Sequence, residues 1–153
     1  MNLKDQLRTD LTAAMKAKDT TALRTLRMVL AAVGAAEVAG DARIELSDDQ
    51  VLAVLASEAK KRVEAADAYA GGGRDEQAAA ERAEGEIIAR YLPTALSGAE
   101  LDALVAEEVA TTAAAGQSGP KAMGSVIKAV RARAGATADG AAIAAAVKAA
   151  LAP

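Results

Sequence analysis

Apolar residues recur along this chain at helical steps of three and four, and no segment alternates apolar with polar as a half-buried strand does. Leu3, Leu7, Leu11 and Met15 fall every fourth residue and predict one inward stripe on a first helix. Asp19 or Thr20 can cap a second helix, where Leu23, Leu26, Leu30 and Val33 alternate steps of three and four. That helix frays through an Ala/Gly stretch ending near Gly40. A third helix is expected to run through Leu52, Leu55, Ala59, Val63 and Ala66 to Tyr69. Gly71, Gly72 and Gly73 stop it, because three glycines raise the backbone entropy cost of continuing. A fourth covers the stretch from Asp75 to Tyr91, with Ala80, Ala83, Ile87 and Tyr91 on one side, and Pro93 ends it.

Two helix starts carry the same signature. Ser47 stands three residues before Gln50, and Ser97 three before Glu100, each in the layout of a capping box. Leu46 can staple onto Val51 across the first of them. After Tyr91-Leu92-Pro93-Thr94, the likeliest boundary, helices are expected near Gly98–Ala115, Pro120–Arg133 and Gly140–Leu151. Pro120 suits a first helical turn, where its missing N–H has no partner to lose. Gly135 can take the left-handed conformation that ends one helix, and Asp139 can cap the next. The expected fold is all-α in two domains: four helices over residues 1–92 and three over 93–153.

Composition narrows the chemistry. The apolar share is 52%, but Ala supplies about half of it and covers little area. With no Phe, no Trp and two tyrosines, the core must be aliphatic and thin. The absence of Cys removes thiol catalysis and thiolate metal sites, and the absence of His removes the commonest general base. The start, MNLKDQLRTDL, is charged and amphipathic rather than a signal peptide, and charges interrupt every apolar run. None nears the roughly 20 residues that span a bilayer, so no membrane partner and a cytoplasmic location are expected. The net charge of −3 argues against an indiscriminate grip on nucleic acid, so any RNA contact would be local.

Several strings suggest chemistry that the rest of the chain does not support. Ser57-Glu58-Ala59-Lys60 has the Ser-x-x-Lys spacing of serine β-lactamases, but neither Ser-Asp-Asn nor Lys-Thr-Gly occurs. Gly116-Gln117-Ser118-Gly119 has the form of a KH-domain loop, yet a KH fold needs a sheet, and an inter-helix turn is the simpler reading. Lys60-Lys61-Arg62 lies among Glu58, Glu64 and Asp67, and pairs such as Glu58–Arg62 suggest a solvated face. For Arg24 and Arg27, three apart on the second helix beside the Leu stripe, pairing with acids within the chain is the default. Glu81, Glu84 and Glu86 cluster, with Arg82 and Arg90 expected to neutralise them. No Gly-x-x-x-x-Gly-Lys-Ser/Thr loop is present to cradle ATP. No catalytic residue, cofactor site or metal site emerges.

The stretch from Pro120 to Arg133 is more suggestive. On a helical wheel Met123, Val126, Ile127 and Val130 gather on one side and should pack inward. Lys121, Gly124, Lys128 and Arg131 gather on the other, with Arg133 apart at the flank of the apolar stripe. Gly124 leaves a shallow gap between cations where a sugar-phosphate backbone could approach. Lys148, on the last helix, could extend the patch. The plainer alternative is a solvated helix face with cations near its C-terminus, which the helix dipole favours.

The segment PKAMGSVIKAVRARAGATADGAAIAAAVKAALAP resembles the tail domain of the B subunit of glutamyl/aspartyl-tRNA amidotransferase. Together with Leu26-Arg27-Met28-Val29-Leu30-Ala31-Ala32-Val33, Leu46-Ser47-Asp48 and Tyr91-Leu92-Pro93, it follows the layout of the YqeY-like (GatB/YqeY) family over nearly the whole chain. The resemblance implies a helical N-terminal domain followed by a copy of the amidotransferase tail, and a link to tRNA-dependent amidation. It implies as partner tRNA or a tRNA–enzyme complex, since the B-subunit tail helps hold tRNA. The equipment to activate a carboxyl group with ATP and to release ammonia from glutamine is absent here. The expectation is a non-catalytic RNA-associated accessory protein; the alternatives are a module that binds a partner helix and an accessory component of a tRNA-dependent amidotransferase.

Overall fold

The computed structural model describes residues Met1–Pro153 and consists of seven α-helices and two short 3-10 segments, with no strand. The chain divides into two compact units, Met1–Leu92 and Pro93–Pro153.

Unit 1 contains α1 (Leu3–Ala17), α2 (Thr20–Glu37), α3 (Asp48–Gly71) and α4 (Asp75–Ala89). Asn2 caps α1, Asp19 caps α2, and Ser47 and Gln50 close a reciprocal capping box at the start of α3. The first helix ends with Lys18 in the left-handed region, the one non-glycine residue of positive φ. The third ends at Gly73, where a φ of 71° lets the Arg74 N–H reach the Tyr69 carbonyl at 2.8 Å and close a Schellman motif. The helices bury Leu7, Leu26, Val29, Val33, Val51, Leu55, Ile87 and Ile88 in one aliphatic core, with Leu3, Leu11, Leu46 and Leu92 around it.

Two expected core positions lie outside. Met15 is 54% exposed, and Ala14 is buried in its place. Four residues turn a helix by about 400°, so a strict every-fourth pattern drifts about 40° per step and rolls off the core by its fourth member. Val63 is 59% exposed for a related reason. The inward line of α3 runs through Val51, Leu55, Glu58, half-buried Arg62 and Ala66, so two of its positions are charged. On α4, Ala80 is exposed while Ala78, Glu84, Ile87 and Ile88 are buried, and the helix stops at Ala89, short of Tyr91. The second helix stops at Glu37 rather than near Gly40.

Unit 2 contains α5 (Gly98–Ala114), α6 (Met123–Ala134) and α7 (Gly140–Ala150), each in contact with the other two. Ser97 and Glu100 form the second capping box. A single turn of 3-10 helix, Gly119–Ala122, carries Pro120 and leads into α6, so the continuous helix begins at Met123 rather than at Pro120. Gly135 adopts φ 54°, ψ −130°, a positive-φ conformation but not the left-handed helical one that was expected. Asp139 holds the N-cap position of α7 without a side-chain bond to the first turn. The core comprises Leu101, Val105, Ala122, Val126, Val130, Ala134, Ile143 and Val147, with no aromatic ring in it.

Candidate nucleic-acid interface

The sixth helix sorts its side chains as an amphipathic helix must. Val126 and Val130 are fully buried, Met123 and Ile127 pack against the same core, and Lys121, Gly124, Lys128 and Arg131 are exposed. At Gly124 a Cβ would meet nothing within 4 Å, so the gap between Lys121 and Lys128 is open to solvent. The Arg131 guanidinium reaches the start of α7: a Cβ on Gly140 would stand 3.0 Å from its Nη2. Lys148 is exposed in the last turn of α7. Lys121, Lys128 and Lys148 thus stand at the surface, and Arg131 stands there beside the start of α7.

Arg133, two residues beyond Arg131, behaves differently. One guanidinium nitrogen meets Glu107 at 2.8 Å and the other meets Glu108 at 2.8 Å, so both acids on α5 clamp it. Hydrogen bonds to Glu108 and then Glu107 raise its already high pKa. Glu107 and Glu108 of α5 therefore meet the cation at the flank of the apolar stripe. Sequence spacing put Arg133 apart from that row but did not reveal its partners, which are 25 and 26 residues away in the chain.

The turn before α6 has Gly116 at φ 92° and Gly119 at φ 67°, values that disfavour any side chain. The Gln117 N–H bonds the Thr112 carbonyl at 3.0 Å, so Gly116 and Gln117 close the end of α5, as an inter-helix turn should.

In unit 1 several cations pair with acids. Arg62 on α3 lies 3.1 Å from Glu81 and 3.2 Å from Glu84 on α4, and Arg24 on α2 meets the other Glu84 oxygen at 2.7 Å. This network corrects two expectations: Arg62 bonds across the α3–α4 seam rather than to Glu58, and Glu81 and Glu84 are met by Arg62 and Arg24 rather than by Arg82 and Arg90. Glu58 is buried and pairs with Lys61 at 2.6 Å. Periodicity could have exposed the seam, because Glu58 and Arg62 stand at steps of three and four from Leu55. Glu37, 2% exposed, is held by Lys4 and faces Arg43 at 3.7 Å. The hydrogen bond from Lys4 holds its carboxyl below the ordinary range; burial opposes this, and the Lys4 charge, the Leu46 backbone and Arg43 assist. Tyr91 donates to Asp10 at 2.6 Å, and burial, followed by that carboxylate, raises the phenol's pKa well above its usual value. No group of three or more acidic side chains is placed to hold a metal ion.

The family described as "Yqey-like protein" matches residues 4–151. The chain is also similar to "Altered inheritance of mitochondria protein 41, mitochondrial" of Meyerozyma guilliermondii, at 37% identity over 86 residues. That match covers 56% of this chain and 44% of the relative, so it spans less than half of the relative's length. The relative's name places that protein in mitochondria. In this chain no helix is long and apolar enough to cross a membrane.

Proposed function

Since the chain belongs to the Yqey-like family, we propose that it is a non-catalytic accessory protein that holds tRNA, or a tRNA–enzyme complex, through the outer face of α6. The observation that carries this reading is the row of Lys121, Lys128 and Arg131, exposed around the gap at Gly124. An exposed cation is within reach of a phosphate, and such contacts position a nucleic acid without reading its sequence. Lys148 lies on the same unit and adds charge from α7. The resemblance of residues 120–153 to the amidotransferase B-subunit tail points the same way.

Titration with tRNA at low and moderate salt tests the proposal. Binding should weaken as salt rises, and Lys128→Ala plus Arg131→Ala should reduce the slope of log K against log salt by about two, one per phosphate contact. No binding at low salt, or a slope unchanged in the double variant, rejects the proposed face.

A second reading rests on unit 1. A groove of about 400 Å³ with Ala13, Ala14, Ala17, Ala22, Leu26 and Ile87 in its lining lies open beside Tyr91. Small side chains let a partner helix approach closely. Loss of a purified partner's binding on Ala17→Arg, with tRNA binding intact, would favour it. Whether the protein assists an amidotransferase is tested by its effect on Glu-tRNA conversion in a reconstituted mixture.

A further inference from the structure

Resting on the α6 reading above, we infer that the ligand of this face is the phosphate backbone of a base-paired RNA stem, gripped by shape and charge, rather than the bases of a single strand.

Proteins that hold single strands combine a basic groove with aromatic side chains on which successive bases stack, each stack worth about 1–3 kcal/mol. Both tyrosines of the chain, Tyr69 and Tyr91, lie in unit 1, and the chain has no Phe or Trp. Unit 2 therefore offers no ring on which a base could stack. Of the two planar cations of unit 2, Arg133 is held by two carboxylates, which leaves Arg131 alone and no second platform for a successive base. Successive splayed bases would find too few platforms to replace the stacking they lose.

A regular duplex needs no such platform. Double-stranded RNA is recognised through shape, phosphates and 2′-hydroxyls. Lys121, Gly124, Lys128 and Arg131 follow one another at steps of three, four and three, so they form a row along the axis of α6. The row extends over about 15 Å at the helical rise and cannot flex between its members, except within the 3-10 turn that carries Lys121. Such a row suits an array of phosphates whose spacing is already fixed by base pairing, whereas a flexible strand would have to be ordered at an entropic cost. Gly124 lets the backbone of the stem approach between Lys121 and Lys128 without meeting a side chain.

The test compares three probes on the full-length chain by fluorescence anisotropy at two salt concentrations: a 16-base-pair RNA duplex, an oligouridylate of the same length, and tRNA. Duplex and tRNA should bind at least roughly tenfold more tightly than oligouridylate at equal salt, the equivalent of about one lost base stack. In Lys128→Ala plus Arg131→Ala the salt slopes for duplex and tRNA should fall by about two. Oligouridylate binding as tightly as the duplex, with the double variant still weakening tRNA, overturns this inference and leaves the α6 reading standing. Indifference of all three probes to the double variant overturns both. Helicity by circular dichroism, expected to match the parent chain, establishes that the exposed substitutions have not unfolded unit 2.

Discussion

Unit 1 sets cations against buried acids, whereas Arg133 of unit 2 meets its acids at the surface. In unit 1 the side chains of Lys4, Arg24 and Arg62 reach buried carboxylates, and Lys61, Arg43 and Arg8 also stand within ion-pair distance of acids. In unit 2 Glu107 and Glu108 of α5 meet Arg133, while Lys121, Lys128 and Arg131 stand exposed on the outer row. Both units contain similar proportions of acid and base, so composition alone does not separate them. What separates them is where the paired acids lie. In unit 1 Glu37, Glu58 and Glu84 are buried in or beside the helix seams; in unit 2 Glu107 and Glu108 meet Arg133 at the flank of the apolar stripe. A cation's availability is thus a property of packing, and counting charges along the chain misses it.

The contrast can be broken or sharpened by substitution. The largest expected effect is Leu55→Ala, which opens the core of unit 1 at a residue with no solvent exposure and should cost about 3–4 kcal/mol in urea unfolding. It should leave RNA affinity unchanged wherever unit 2 stays folded; a parallel loss of binding would mean that the units are not separable in function. Arg62→Ala comes next, at about 3 kcal/mol, because it leaves Glu81 without a partner in the α3–α4 seam and Glu84 with Arg24 alone. Equal stability of Arg62→Ala and the parent would show the seam network to be inert. Arg133→Ala should lower stability less than Arg62→Ala does, since its two ion pairs are solvent-screened, and should leave the salt slope of RNA binding near the parent value. A slope that falls by as much as it does for Lys128→Ala would place Arg133 in the RNA-contacting row. For Lys128→Ala plus Arg131→Ala, thermal unfolding should stay within about 0.5 kcal/mol of the parent while RNA binding weakens, because exposed side chains add little to stability. The smallest effect concerns pH. Glu37 has its pKa depressed in the folded chain, so its stabilisation is complete above the ordinary carboxylate pKa of about 4.3 and is lost as pH falls through the lower folded value. The stability gap between the parent and Glu37→Gln should therefore narrow below that pH; a gap constant from neutral to acid would exclude the carboxylate as its source.

Helix number, both capping boxes and the sorting of α6 could be read from the chain, because each depends on neighbours within one or two turns. Ser47 with Gln50, and Ser97 with Glu100, bond as their spacing requires. Met15 and Val63 were misplaced because a step of four only approximates the true helical repeat. The charged seam of Arg24, Arg62, Glu81 and Glu84 escaped because its members come from three helices and meet only after packing. The same holds for Arg133: position on a wheel gave its angle, whereas its partners lie on another element. The exposure of Lys121, Gly124, Lys128 and Arg131 was legible. The reach of the Arg131 guanidinium to Gly140 was not, since it depended on where α7 would lie.

The core of unit 2 is eight small aliphatic side chains, the largest being Leu101 and Ile143, over 61 residues. A scaffold so lightly filled stands close to its own melting threshold. Any ligand that binds only the folded form should therefore raise its unfolding temperature visibly, by the equivalent of about 2.7 kcal/mol at a hundredfold excess over Kd. The sparse interior makes this unit its own thermometer for whatever it holds.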